Sequence, residues 1–143
     1  MARVPQEARF VSGIAMRAVL ERIIEHARET FPRECCGMLL GKADRVIDAV
    51  RARNLADEPH RFLIDPKDHI DAMREARRRQ LDVVGFYHSH PQTAAVPSAS
   101  DRAEAAYPEH LYLIVSLANA QAEARLFRFV DGDFEEVGLA ADF

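Results

Sequence analysis

The sequence predicts a mixed α/β fold, one mixed β-sheet flanked by helices. Three observations lead there. Short apolar runs, Met38-Leu39-Leu40, Leu81-Asp82-Val83-Val84-Gly85-Phe86 and residues 111–117, read as buried strands. Segments of helical periodicity, residues 16–30 and 66–80, alternate with them. The chain then closes on two strand-like segments around Asp131-Gly132-Asp133, a hairpin signal. Helices and strands in this alternation pack as layers about one sheet. A chain of 143 residues suits a single domain, residues 1–143, and buries a sizeable core without disulfides.

Residues 1–9 are polar and expected to be loose, and residues 10–14 read as a short edge strand. In residues 16–30, Val19, Leu20, Ile23, Ile24 and Ala27 recur at helical spacing, with Glu21, Arg22, Glu25, Arg28 and Glu29 between them. Pro32 ends that helix. His26 is expected to be partly exposed on it. Residues 34–41 form a buried strand, with residues 45–53 as hairpin partner across Lys42-Ala43-Asp44. A loop over 54–61 leads to a short strand over 61–65. Asp65 reads as an N-cap, with Pro66 at the first helical position and Asp68 at the third. That helix runs to about Gln80 and is expected to bury Ile70, Met73 and Ala76. Arg74, Arg77, Arg78 and Arg79 crowd its last turns and read as a solvated face favoured by the helix dipole. Residues 81–88 form the central strand and residues 98–107 a short helix closed by Pro108. Residues 111–117 form a further strand, and residues 122–130 pair with 135–139.

The chemistry gathers at Tyr87-His88-Ser89-His90-Pro91. Side chains at i and i+2 of a strand share a face, so His88 and His90 project together at a strand's C-terminal end. Asp101 lies eleven positions beyond His90, far enough for a loop to fold back with a carboxylate. Two histidines and a carboxylate around an open fourth position suit a catalytic zinc, one per chain. Ser98-x-x-Asp101 also resembles a capping box, and the two roles are compatible. A base is needed beside such a metal. Glu34, in Pro32-Arg33-Glu34-Cys35-Cys36-Gly37, is an odd residue to lead into an apolar strand unless it has that task. Ser89 points to the other face and reads as structural. Cys35 and Cys36 are neighbours, a strained disulfide pair, and read as core packing with a redox role as the lesser alternative. His60, His69 and His110 lack ligand-like partners nearby in sequence.

Glu34, then His88-x-His90, seven residues, and Ser98-x-x-Asp101 match the signature of the JAMM (MPN+) metallopeptidases, which the chain resembles from about residue 10 to about residue 130. The flanking Cys36-Gly37-Met38-Leu39-Leu40-Gly41, Phe62-Leu63-Ile64-Asp65-Pro66 and Gly85-Phe86-Tyr87 are similar to the family as well. The resemblance implies the JAMM/MPN fold, which is like that of the cytidine deaminases. It implies zinc on His88, His90 and Asp101, Glu34 as general base and Ser98 as donor to the developing oxyanion. It also implies hydrolysis of an amide or isopeptide bond after the C-terminal Gly-Gly of a ubiquitin-like protein. The chain most resembles the small stand-alone bacterial members, some of which release cysteine from a sulfur carrier of the ThiS/MoaD type, which implies such a ubiquitin-fold carrier as partner and a link to cysteine biosynthesis.

The rest of the sequence narrows the classes. The deaminase signature His-x-Glu…Pro-Cys-x-x-Cys is absent, so the shared fold does not carry deaminase chemistry. A net charge of -4 gives no field suited to nucleic acid or an anionic membrane. No signal peptide or apolar span is read, so the cytoplasm is the expected compartment. Two rivals stand beside the peptidase: a non-catalytic MPN scaffold for protein partners, and a zinc hydrolase of small-molecule amides. The oligomeric state is left open, a homodimer included.

Overall fold

The computed structural model describes residues 13–43 and 45–139. The edge strand expected over 10–14 lies mostly outside them, and Gly13 already belongs to the first helix, α1 (Gly13–Thr30). Met16, Val19, Leu20, Ile23 and Ala27 form its apolar stripe, each 2% exposed or less. Burying such an aliphatic side chain contributes roughly 1.5–3 kcal/mol. A hairpin follows, β1 (Cys36–Lys42) and β2 (Arg45–Ala52). Next come α2 (Pro66–Arg78), β3 (Asp82–His90), α3 (Ala99–Glu104) and β4 (Leu111–Ser116). The closing hairpin is β5 (Glu123–Val130) with β6 (Asp133–Val137).

The strands make one mixed sheet in the order β2-β1-β3-β4-β5-β6. Only β3 and β4 run parallel; every other pairing is antiparallel. One face of the sheet packs on α1 through Cys35, Leu39, Val46, Tyr87, Leu113, Val115 and Leu126. The other face packs Met38, Phe86 and Tyr112 against Ala72 of α2. A parallel pair needs a crossover, and here residues 91–110 supply it with α3 inside. That excursion returns the chain past the C-terminal end of β3, the usual place for a site in an α/β sheet.

The structure departs from the sequence reading in four places. First, residues 61–65 make a single bridge, Asn54 to Ile64, and no strand. The Asn54 side chain takes the Arg61 carbonyl and the Leu63 amide at 3.1 and 2.9 Å, doing locally what a ladder would do. Second, α2 buries Ala72 and Ala76, whereas Ile70 and Met73 are 49% and 48% exposed. Two alanines four residues apart let the helix lie close on the sheet, and Ile70 and Met73 fall outside that contact. Asp65 caps the helix as predicted, its carboxylate accepting from the Lys67 amide at 2.9 Å. Third, β3 extends to His90 and α3 stops at Glu104.

The fourth departure is His26, which is buried. Its Nδ1 lies 2.8 Å from the Tyr87 hydroxyl. Tyr87 is 1% exposed in the centre of β3, and a buried phenol needs a partner. Gly37, its register neighbour on β1, leaves the room: a Cβ there would stand 2.3 Å from Tyr87 Cε2. Burial, reinforced by the Arg51 charge and partly offset by Glu29, lowers His26 to about 4. The neutral ring and the Tyr87 hydroxyl therefore share one hydrogen bond through Nδ1.

Because the folded value lies below the ordinary 6.5, the unfolded chain binds more protons between those pH values. Stability held fully above pH 6.5 should fall as pH drops toward 4, by about 2–3 kcal/mol from this group. Urea unfolding of the wild type and His26→Gln across this range measures it. The variant should show a shallower slope, and equal slopes would remove His26 as the cause.

Candidate metal centre

His88 and His90 stand on one face at the end of β3, 2% and 3% exposed. Ser89 between them turns the other way. Its Oγ accepts the Cys35 amide at 2.8 Å, and its own amide donates to the Cys35 carbonyl at 3.1 Å. This pair of bonds pins the Glu34-Cys35 segment, just ahead of β1, beside the histidines. From the other side comes α3, started by a full capping box. Ser98 Oγ accepts the Asp101 amide at 3.0 Å, and Asp101 Oδ2 accepts the Ser98 amide at 2.9 Å.

The same Oδ2 lies 3.1 Å from His88 Nε2 and 3.1 Å from His90 Nε2, and the two nitrogens are 3.2 Å apart. The three side chains are 3%, 3% and 7% exposed. His90 Nδ1 lies 2.7 Å from the Ala94 carbonyl, which can only accept. Nδ1 therefore carries a proton, and Nε2 is the ring atom that faces the carboxylate oxygen. Three such atoms packed this closely and nearly dry need a shared proton or a cation between them. Ligands about 2.0–2.1 Å from a tetrahedral zinc stand roughly 3.3 Å from each other, close to this triangle. The donor set thus fits a metal ion, with the Ala94 carbonyl as the outer partner that orients a ligating histidine. Among the described residues this is the group of three such donors that converges.

Burial opposes ionisation of Asp101, yet the hydrogen bonds from His88, His90 and the Ser98 amide hold its carboxyl well below the usual carboxylate range. Glu34 is the contrast. It is 5% exposed, and burial pushes its carboxyl up to about 7, with the His90 charge pulling down and Asp101 pushing up. Its Oε1 has no hydrogen-bond partner among the described residues. A buried carboxylate oxygen without a partner is costly, and proteins tolerate that mainly where the group has work to do. Ser98 is exposed, and its Oγ serves the cap as acceptor, which leaves its own proton free to donate.

The structure thus brings together His88, His90, Asp101, Ser98 and Glu34. Cys35 and Cys36 are buried and free, and burial raises their thiols to about 11 and 12, far from a reactive thiolate. His60 lies in the 54–65 loop, while His69 and His110 pack beside Phe86 at ring distances of 5.4 and 5.8 Å.

Three contributors have no role in the sequence reading. Phe62 stacks on the His88 ring at 4.3 Å and 22°. The Ala94 carbonyl has no side-chain signal at all. Asn54 is a hub: its amide donates to the Glu34 and Arg61 carbonyls at 3.0 and 3.1 Å, and its oxygen accepts the Ala56 and Leu63 amides, both at 2.9 Å. It ties the Phe62 loop to the Glu34 backbone. Beside the triangle opens a cavity of about 280 Å³, with His88 and Asp101 at one end and Phe62, Phe86, Tyr107, Tyr112 and Phe134 along it.

Residues 16–130 match the family described as prokaryotic homologs of the JAB domain. Desampylase of Haloferax volcanii is 34% identical over 129 residues, 85% of this chain and 91% of the relative. CysO-cysteine peptidase of Mycobacterium tuberculosis is 31% identical over 121 residues, 82% of this chain and 83% of that one. A solution structure of a Desulfitobacterium hafniense protein superposes with a TM-score of 0.79 at 31% identity, covering 92% of this chain and 90% of that one.

Asn54→Ala removes four hydrogen bonds at once and leaves partly buried backbone groups unmatched. It should cost about 1–3 kcal/mol in chemical denaturation. Hydrogen exchange should rise first at Ala56 and Leu63. Unchanged exchange at those two amides would show that the loop does not depend on Asn54.

Proposed function

The chain belongs to the prokaryotic JAB-domain family, and from that premise we propose that it is a zinc metallopeptidase acting after the C-terminal Gly-Gly of a ubiquitin-like protein of the ThiS/MoaD sulfur-carrier type. The observation that carries the proposal is the buried triangle of His88, His90 and Asp101, whose donor atoms converge at 3.1, 3.1 and 3.2 Å. The names of the relatives, a desampylase and a CysO-cysteine peptidase, support an amide bond as the target.

His88 and His90 through Nε2, with Asp101 through Oδ2, would hold the zinc. When bound, zinc supplies Lewis acidity to the scissile carbonyl and brings the pKa of water near 7. Glu34 takes a proton from the attacking water and passes it to the departing amine. A carboxyl raised by burial suits both halves of that task, since it gives the proton up about as readily as it accepts it. The Ser98 O–H donates to the oxyanion as the carbonyl becomes tetrahedral, while the capping box holds its Oγ in place. Phe62 screens one face of His88 from water. An extended Gly-Gly tail, with no side chains to clear, can approach the triangle closely.

Intact-mass analysis of a ubiquitin-fold carrier joined through Gly-Gly to a reporter peptide tests the proposal. Zinc-loaded protein should split the conjugate after Gly-Gly. Glu34→Gln, still holding zinc, should be slower by about 10²–10⁴. A conjugate left whole by zinc-loaded wild type, or split equally by the variant, would sink the assignment.

A further inference from the structure

His88 and Asp101 of the donor triangle line the 280 Å³ cavity, and most of the remaining lining is apolar. Its floor is Phe86, Tyr112 and Ile114 on β3 and β4, each 7% exposed or less. Phe134 of β6 stands edge-on to Tyr112 at 5.3 Å. At the rim are Tyr107 and Leu63, 42% and 50% exposed. Tyr107 packs on Phe86 at 5.0 Å. His69 meets both rings edge-on at 5.4 and 5.6 Å, and burial favours its neutral form.

The charges along this cavity are one-sided. Its lining includes no lysine or arginine among the described residues, and the charged groups in it are the carboxylates of Asp101 and Glu104. The nearby guanidinium of Arg61 is engaged by Glu104. Beyond the metal ligands an entering anion loses water and meets no lysine or arginine of the lining among the described residues, whereas an apolar group gains.

We infer that this cavity binds an apolar or aromatic side chain on the residue that leaves, the one whose nitrogen is released. The chain therefore favours peptide and protein adducts over a free amino acid as leaving group. This rests on the Gly-Gly reading of the proposed function. Two glycines bring no side chain to a cavity that begins at His88 and Asp101, so the nearest side chain comes from the amine side of the bond. A free amino acid there would bring its carboxylate into a mostly apolar cavity whose lining holds no lysine or arginine among the described residues. The relatives differ on this point: one name specifies release of a cysteine, the other does not.

The test uses zinc-loaded full chain and a carrier ending in Gly-Gly, extended by X-Ala-Ala-amide with X as Phe, Leu, Gly or Asp, and separately by one free cysteine. Phe and Leu should exceed Gly in kcat/KM by about tenfold or more, as apolar pockets usually discriminate. Asp and the free cysteine should trail. Tyr107→Ala should bring the Phe-to-Gly ratio toward one, and Tyr107→Lys should lift the Asp substrate relative to Phe. Leu63→Ala, also at the exposed rim, should lower the same ratio and serves if the tyrosine variants do not fold. Phe and Gly within twofold of each other would overturn the inference. So would free cysteine as the best leaving group, or a preference set by the carrier residue before Gly-Gly. If zinc-loaded protein cleaves none of the substrates, the peptidase reading itself fails and this inference falls with it.

Discussion

Parallel pairing of β3 with β4 is the constraint from which the site follows. Antiparallel neighbours could be joined by a two-residue turn, but a parallel pair forces the chain to travel back along the sheet. The excursion over 91–110 starts at the end of β3, where the two histidines are. It holds the capping box of Ser98 and Asp101, and the box turns a carboxylate onto both Nε2 atoms. Antiparallel β1 then brings Glu34 alongside, because Cys36 pairs with His88 in the register. Five residues from three distant stretches of sequence meet through strand register and one helix cap.

The site is kept dry and under-satisfied while its surroundings are fully bonded. Glu34 Oε1 and His88 Nδ1 are the buried side-chain atoms without partners among the described residues, and both belong to the site. Polar groups just outside it are matched closely: Asn54 to four backbone groups, Ser89 to Cys35, Ser116 Oγ to the Thr93 carbonyl at 2.6 Å. Stability is supplied by the α1 face and its Tyr87–His26 bond, on the far side of the sheet. The triangle is thereby held by a core that does not share its chemistry.

Much of this was legible in the sequence because the signals are local. The 3.6-residue stripe of α1, the Asp65-Pro66 start of α2 and the turn at Asp131-Gly132-Asp133 are all decided within a few residues. So is Ser98-x-x-Asp101, and His88-x-His90 needs only the strand period. What was not legible depends on partners far along the chain. Ala76 is buried as its helical position suggests, but Ile70 and Met73 look like core residues until Ala72 is seen to be buried in their place. His26 looks like a surface residue until Tyr87, 61 positions away, needs a hydrogen bond. A strand was expected over 61–65 because an asparagine hub cannot be told from an ordinary loop asparagine. Phe62 and the Ala94 carbonyl act on His88 and His90 through contacts that no spacing rule contains.

The central claim is that His88, His90 and Asp101 together hold one zinc ion. Equilibrium zinc titration against a competing chelator tests it most directly, on the wild type, His88→Ala and Asp101→Ala. The account predicts one zinc per wild-type chain, with affinity lowered at least about 100-fold in each variant, and no loss when Cys35 and Cys36 are both changed to alanine. Zinc bound equally well by the variants, or not at all by the wild type, would contradict it.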